Sequence, residues 1–176
     1  MQDIADALGI QRGSLYHHIE SKEDLLFEIM ESGITKMIEP VEVAVSSPVP
    51  AGEKLRRFIE AHFDTIASLG SVRVLFRELR SLPPPRRQKI IAHRDHYEGL
   101  VRRIIAEGVA SGQFRPVDPK FAGLMVLGVC NWACHWYSPN GPLSRAQLAR
   151  TFADLLLRGL EASPPAGSAA GSVRAT

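Results

Sequence analysis

Residues 1–22 read MQDIADALGIQRGSLYHHIESK. Ile4 and Leu8 recur at helical spacing, and Gly9 ends the run where a tight turn needs a left-handed residue. Ala5 is small enough to let two steeply crossing helices touch. The pattern predicts two short helices joined by a glycine corner, with the second helix at about residues 12–18. This arrangement is a helix-turn-helix, and the start of its second helix is the part that enters a DNA major groove.

The same stretch resembles the DNA-binding signature of the TetR family of bacterial repressors. The matching positions are Asp3-Ile4-Ala5, Gly9-Ile10, Gly13-Ser14-Leu15-Tyr16, His18 and Ser21-Lys22-Glu23-Asp24-Leu25. The resemblance implies an all-α fold, a DNA-binding module and a helical domain for a small effector.

The resemblance also implies which side chains meet DNA. Gln11 lies at the exposed start of the second helix, and Arg12, Gly13 and His17 occupy base-contacting positions. Arg12 suits guanine, whose O6 and N7 accept two hydrogen bonds. The phosphate-contacting positions, which set the register on the duplex, are Ser14, Tyr16, His18 and Lys22. The alternatives are a packed aromatic ring for Tyr16, a helix-end cap for His18 and a solvated lysine for Lys22.

Some features depart from the family pattern. Gln11 stands where Ser or Thr is common, and Ile19 where Phe is common. The family also has a helix before this point, so we expect an N-terminally truncated module. Residues 1–32 carry two basic and seven acidic side chains, which opposes phosphate attraction. The alternative function is therefore a truncated helical dimer that binds a ligand or a partner subunit without binding DNA.

The remaining sequence predicts helices throughout. Capping signals at Ser21 and Ser144, and Asp118 before Pro119, open three of them. The helix after Ser21 should fade between Pro40 and Pro48, and further helices are expected at residues 51–69, 71–82, 86–111, 118–137 and 144–161. We predict a DNA-binding module with its linking helix at 1–39, an effector-binding and dimerisation domain at 51–162, and a disordered tail at 163–176.

The last two helices predict a homodimer. Residues 121–133 are apolar nearly all round, which the surface helix of a monomer would not tolerate. Gly123 and Gly128 allow close helix approach. The final helix adds an apolar stripe, so that four helices would form a two-fold interface; the stripe comprises Leu148, Phe152, Leu155, Leu156 and Leu160. The alternative for residues 121–133 is a helix buried in the core.

Residues 132–144, WACHWYSPNGPLS, resemble a TetR subgroup that regulates fatty-acid and steroid breakdown. This resemblance implies an acyl-CoA thioester as the effector class. The net charge of +6 over residues 52–115 suits such an anion, although a solvated basic face is the alternative. Candidate phosphate partners are Arg57, Arg73, Arg77 and Arg80. Candidates for an apolar pocket, with plain core as the alternative, are Phe58, His62, Phe76, Trp132 and Trp136.

The sequence offers no catalytic motif, so we predict a regulator rather than an enzyme. No Gly-rich phosphate loop, Gly-x-Ser-x-Gly or His-Glu-x-x-His is present. Cys130, Cys134 and His135 lack a fourth zinc ligand, and His93 and His96 read as surface or pocket residues, so neither metal nor cofactor is expected. The two cysteines, the absent leader and a longest apolar run of residues 121–134 predict a cytoplasmic protein.

Overall fold

The computed structural model describes residues 19, 21–68, 77–138 and 140–162. Within these ranges every regular element is a helix, as predicted, and one isolated β-bridge joins Phe114 to Glu161. A 3-10 turn spans Leu79–Ser81. The α-helices are α1 (Lys22–Ser46), α2 (Ala51–Ser68), α3 (Pro84–Ala110), α4 (Pro119–Trp136) and α5 (Arg145–Leu160).

The predicted capping residues begin three helices. Ser21 Oγ accepts the Asp24 amide of α1 at 3.0 Å. Asp118 accepts two amides at the start of α4. At α5, Ser144 Oγ accepts the Gln147 amide while the Gln147 side chain accepts the Ser144 amide, a complete capping box. These caps can be predicted from the sequence because each capping side chain accepts hydrogen bonds from amides at the start of the helix, which have no partner within the helix.

Helix α1 ends at Ser46, inside the predicted range of 40–48, but it runs beyond residue 39, the predicted end of the DNA-binding module with its linking helix. Pro40 is exposed, whereas the following turns bury Val41 and Ala44 in the core. This burial offsets the cost of a proline inside a helix. The first half of the predicted helix 71–82 falls outside the described residues, and the predicted tail 163–176 falls wholly outside them.

Helix α2 is the centre of the packing, since it contacts each of the other four helices. Leu55, Phe58 and Ile59 are fully buried there. Two ion pairs join α2 to its neighbours. The Lys54 ammonium donates to both Glu107 oxygens on α3, at 2.8 and 3.0 Å. Arg56 donates to Asp154 on α5 at 2.8 Å.

Helix α4 has two different faces. One packs inward through Val126, Cys130 and Ala133, and the other exposes a stripe of large apolar side chains. We call this stripe the α4 apolar face; it comprises Phe121, Leu124, Met125, Val129, Trp132 and Trp136. No helix in the described part of the chain is long and apolar enough to span a bilayer.

One expectation about the dimer interface, the exposed stripe on α5, is wrong in detail, and the close approach at Gly123 is made within the chain. On α5, Leu148, Leu156 and Leu160 are buried within the same chain, and only Leu155 of the predicted stripe is largely exposed, at 66%. Gly123 serves an intramolecular contact, because a Cβ built there would lie 3.4 Å from Val101 Cγ1 of α3. The sequence pattern could not distinguish side chains that pack within the chain from side chains that would pack against a partner subunit.

Candidate functional site

A cleft of about 380 Å³ lies between helices α1, α3 and α4. It is the candidate site because apolar side chains and a few polar groups converge on it, as in small-molecule sites of this size. Its lining consists of Ile34, Met37, Ile91, Arg94, Asp95, Tyr97, Glu98, Leu124, Leu127, Gly128 and Asn131.

The inner wall of the cleft is polar and rests on a buried histidine. Tyr97 lines the cleft, and its hydroxyl oxygen lies 2.7 Å from Nδ1 of His62 on α2. Phe58 flanks both rings, with centroids 6.0 Å from His62 and 5.4 Å from Tyr97. Burial lowers the pKa of His62 to about 4, so this imidazole is neutral at neutral pH. Burial also raises the pKa of Tyr97 well above its usual value.

Asn131 of α4 completes this wall. Its side chain raises the pKa of His62 against the larger effect of burial, which indicates that the two side chains are neighbours. Nevertheless, among the described residues neither Asn131 Oδ1 nor His62 Nε2 has a hydrogen-bond partner of good geometry, although both atoms are buried. Buried polar atoms are rarely left in this state, which marks the wall as a place where a ligand would gain hydrogen bonds.

The rim of the cleft carries charge of both signs. Arg94 is cationic, whereas Asp95 and Glu98 are anionic, and all three are on α3. The volume sets a size limit: since a cavity of about 150 Å³ holds one benzene, a cleft of this volume takes about 15 non-hydrogen atoms. It can therefore hold an acyl group, but not coenzyme A itself.

The structure brings only part of the predicted ligand set together. Phe58 and His62 lie side by side behind the cleft. Trp132 and Trp136 lie on the α4 apolar face, where they stack on His135 and Phe152. Arg77 is exposed, and Phe76 is outside the described residues, as is Arg73.

The other predicted arginines differ in their surroundings. Arg57 donates to Glu53 of its own helix at 2.9 Å, so this guanidinium already has an anionic partner. Arg80 is exposed beside the 3-10 turn.

Sequence reasoning missed Tyr97 and Asn131. A signal for Asn131 was present, because it is the one amide side chain within the longest apolar run, residues 121–134. Tyr97 gave no comparable signal, because an aromatic ring on an amphipathic helix is usually core. Its role depends on His62, 35 residues away.

The predicted DNA-contacting residues lie mostly outside the described part of the chain: this applies to Gln11, Arg12, Gly13, Ser14, Tyr16, His17 and His18. Lys22 is described and is exposed at the first residue of α1. From there α1 leads to Ile34 and Met37 in the cleft wall. One helix therefore connects the predicted DNA-binding module to the cleft.

Polar pairs tie α1 to α3 along this path. Asp24 pairs with Arg86, and hydrogen bonds from the Ser21 hydroxyl, followed by the Arg86 interactions, lower the pKa of its carboxyl. His96 Nε2 lies 2.8 Å from Glu42, and His93 Nε2 lies 3.9 Å from Glu31. These contacts give both histidines surface partners on α1.

The cysteines of α4 are buried thiols. Burial raises the pKa of Cys130 to about 12, and Cys134 Sγ lies 3.3 Å from Nδ1 of His135. Within the described ranges no group of three or more possible ligands is arranged to hold a metal ion.

Comparison with known proteins shows which protein family has this arrangement of helices. The family model for bacterial regulatory proteins of the tetR family matches residues 1–29, and the model for the tetracyclin repressor-like C-terminal domain matches residues 48–160. The first match begins at residue 1, and it does not support the predicted loss of a helix.

Individual relatives agree with the family models. The HTH-type transcriptional repressor KstR2 of Mycolicibacterium smegmatis is 28% identical, over 93% of this chain and 81% of its own length. The TetR family regulator PfmR of Thermus thermophilus is 40% identical with a TM-score of 0.85, over 92% of this chain and 88% of its own.

A third similar structure is that of AibR in complex with isovaleryl coenzyme A and operator DNA. It is 29% identical with a TM-score of 0.81, over 89% of this chain and 85% of its own. The helical order, the cleft beside the linking helix and these matches together lead to one assignment: the chain belongs to the TetR family of bacterial transcriptional regulators.

Proposed function

We propose that this protein is a dimeric transcriptional repressor that leaves its operator when an acyl-CoA thioester binds, with the acyl group in the cleft between α1, α3 and α4. The observation that carries the proposal is the position of the cleft, because α1 forms one wall and also leads to the DNA-binding module. The similarity to AibR, whose complex holds isovaleryl coenzyme A and operator DNA, supports the effector class.

The size and chemistry of the cleft agree with this division of the effector. Ile34, Met37, Leu124 and Leu127 offer apolar surface to an acyl chain. The nucleotide part would extend over the rim, where Arg94 is a cation for its phosphates. Asp95 and Glu98 oppose this charge, so the acyl group supplies much of the selectivity.

The mechanism is a shift between two states. An effector changes DNA affinity only if it binds the released state more tightly than the DNA-bound state. An acyl group in the cleft would move Ile34 and Met37 relative to α3 and thereby turn α1. In a dimer, this movement changes the distance between two recognition helices that must lie about one DNA turn apart.

The dimer itself is proposed to use the α4 apolar face. This face exposes Phe121 by 70% and Trp132 by 63%, in contiguous helical turns. An apolar stripe of this kind marks an interaction surface. The domain division at residues 1–39 and 51–162 remains a proposal as well.

A selection from random-sequence DNA gives the operator needed to test this function. Fluorescence anisotropy then follows release of that operator by a series of acyl-CoA thioesters. We expect release at micromolar concentrations, and complete insensitivity to all thioesters would contradict the effector class. Gly128→Leu should abolish the response, because the site is open to a side chain and lines the cleft. Gly159→Leu, which is equally open but outside the cleft, should leave it intact.

DNA readout is tested at Arg12. Replacing it with alanine removes the proposed bidentate contact, so we expect a loss of about 1–3 kcal/mol confined to one base position. Lys22→Ala should instead weaken binding to all sequences and reduce its salt dependence. An unchanged sequence preference in Arg12→Ala would remove this residue from the readout.

A further inference from the structure

The start of helix α3 contacts the start of helix α1, where α1 follows the DNA-binding module. Arg86, in the first turn of α3, pairs with the carboxylate of Asp24. The guanidinium carbon of Arg86 also lies 5.6 Å from the centre of the Phe27 ring, and the Lys89 ammonium lies 5.8 Å from the same centre. We call these four side chains, Asp24, Phe27, Arg86 and Lys89, the module clamp.

Each contact of the module clamp is supported by its surroundings. Phe27 is buried, and the Asp24 and Arg86 side chains are partly buried. The Ser21 hydroxyl donates to the Asp24 carboxylate at 2.6 Å and so fixes its position. A cation above an aromatic ring is attracted by the negative face of the ring. Arg86 is therefore held by a carboxylate and by a phenyl ring at the same time.

The local stability of α3 does not explain the cations at its start. The first turn of α3 has no acidic residue, and basic side chains there oppose the helix dipole. Residues 77–89 carry five basic side chains against one acidic side chain, whereas residues 1–32 carry two against seven. The cations are favourable because they face a region of opposite charge. The first turns of α1, with Asp24 and Phe27, belong to that region.

The position of the module clamp relative to the cleft gives it a mechanical role. Ile34, in the cleft wall, lies ten residues beyond Asp24 on α1, which is about 15 Å along the helix. A helix that is displaced at one point turns as a lever only if another point of it is held. The module clamp is such a point, because it fixes the start of α1 to α3.

Resting on the proposed function, we infer that the module clamp makes the DNA-binding module and the start of α3 move as one body. Arg86 is the positioning residue in this clamp, since it contacts both Asp24 and Phe27. A displacement of Ile34 by an effector then turns the recognition helix. If the module clamp is broken, α1 shifts in the cleft without carrying the module with it.

The first test measures two quantities in each variant. Calorimetry gives the affinity for the thioester that releases the operator at the lowest concentration. Fluorescence anisotropy gives the coupling factor, by which that thioester at saturation lowers operator affinity. In Arg86→Gln we expect the coupling factor to fall at least about fivefold. Thioester affinity should stay within about twofold, because Arg86 is outside the cleft lining. Arg103→Gln removes an exposed cation farther along α3 and should change neither quantity.

Two further variants show whether the ion pair itself carries the effect. Arg86→Lys keeps the cation and should retain most of the coupling factor. Asp24→Asn combined with Arg86→Gln should lower the factor no further than Arg86→Gln alone, because both substitutions remove the same contact. Additive losses in the double variant would overturn the inference, and so would a parental coupling factor in Arg86→Gln.

Hydrogen exchange with mass spectrometry tests the module clamp without any effector. In Arg86→Gln the amides of residues 25–32 should exchange about fivefold faster, because the start of α1 opens more easily. Amides of α5 should keep their parental rates, which shows that the fold is retained. Parental exchange at residues 25–32 would overturn the inference.

The two measurements separate this inference from the proposed function. If no thioester releases the operator from the parent protein, the acyl-CoA effector class fails, and the exchange rates alone decide whether the module clamp exists. If thioesters release the operator equally well from the parent and from Arg86→Gln, the inference fails and the effector class stands.

Discussion

At the residue scale, His62 links the cleft to stability. Burial lowers its pKa from 6.5 to about 4, so the folded state resists protonation more strongly than the unfolded state. The part of the free energy of unfolding that depends on a neutral His62 is fully present above pH 6.5. It is lost as the pH falls toward 4, to a total on the order of 3 kcal/mol. Chemical denaturation between pH 7 and 4 should show this loss. In His62→Gln the acid dependence should be shallower, and equal slopes would contradict the assignment.

Gly108 gives a second residue-scale prediction. A Cβ there would lie far inside contact distance of the buried Phe114 ring. Gly108→Ala should therefore lower the free energy of unfolding by roughly 1–3 kcal/mol through overpacking. Gly99 is the matched control on the same helix, since no described atom lies within 4 Å of its built Cβ. Gly99→Ala should be neutral or add up to about 1 kcal/mol. Equal effects in a urea titration would count against the close approach of Phe114.

At the element scale, Pro40 interrupts the hydrogen bonding of α1 without ending the helix. Pro40→Ala restores an amide that can donate to the Lys36 carbonyl, so we expect a gain of about 1–3 kcal/mol. Pro119→Ala is the control, because Pro119 is the first residue of α4 and is favourable there. It should leave stability unchanged or slightly lower. A Pro40→Ala protein no more stable than its parent in thermal unfolding would contradict the prediction.

The elements also show what a sequence reveals. The caps at Ser21, Asp118 and Ser144 are predictable because the bonds they make span three residues or fewer. The exact end of α1 within residues 40–48 is not predictable, because its last turns depend on burial of Val41 against other helices. Phe58 and His62 follow from aromatic spacing. The cleft cannot be predicted in this way, because its walls come from three helices that are separated in the chain. The sequence of an apolar helix such as α4 also does not show which of its faces is covered.

At the scale of the whole molecule, the α4 apolar face should control assembly. Trp132→Asp places a charge at its centre, where large aromatic residues often dominate binding energy. We expect the dimer dissociation constant to rise at least about 100-fold in sedimentation velocity, with weaker operator binding as a consequence. Val43→Asp is the control, because Val43 is 71% exposed on α1, outside that face. A dimer that survives Trp132→Asp would place the interface elsewhere.

The last turn of α5 is held at the far end of the molecule from Asp24. The Arg115 amide donates to Leu160 at 2.8 Å, the Ala162 amide donates to Gln113 at 3.1 Å, and the Arg115 side chain donates to Gly159. Helix α3 runs from the Arg86–Asp24 pair toward these contacts over 27 residues, or about 40 Å. If the protein were tethered to a biosensor chip through the chain beyond Ala162, its DNA-reading side would point into the flow channel. The immobilised repressor could then report both the capture and the release of operator DNA.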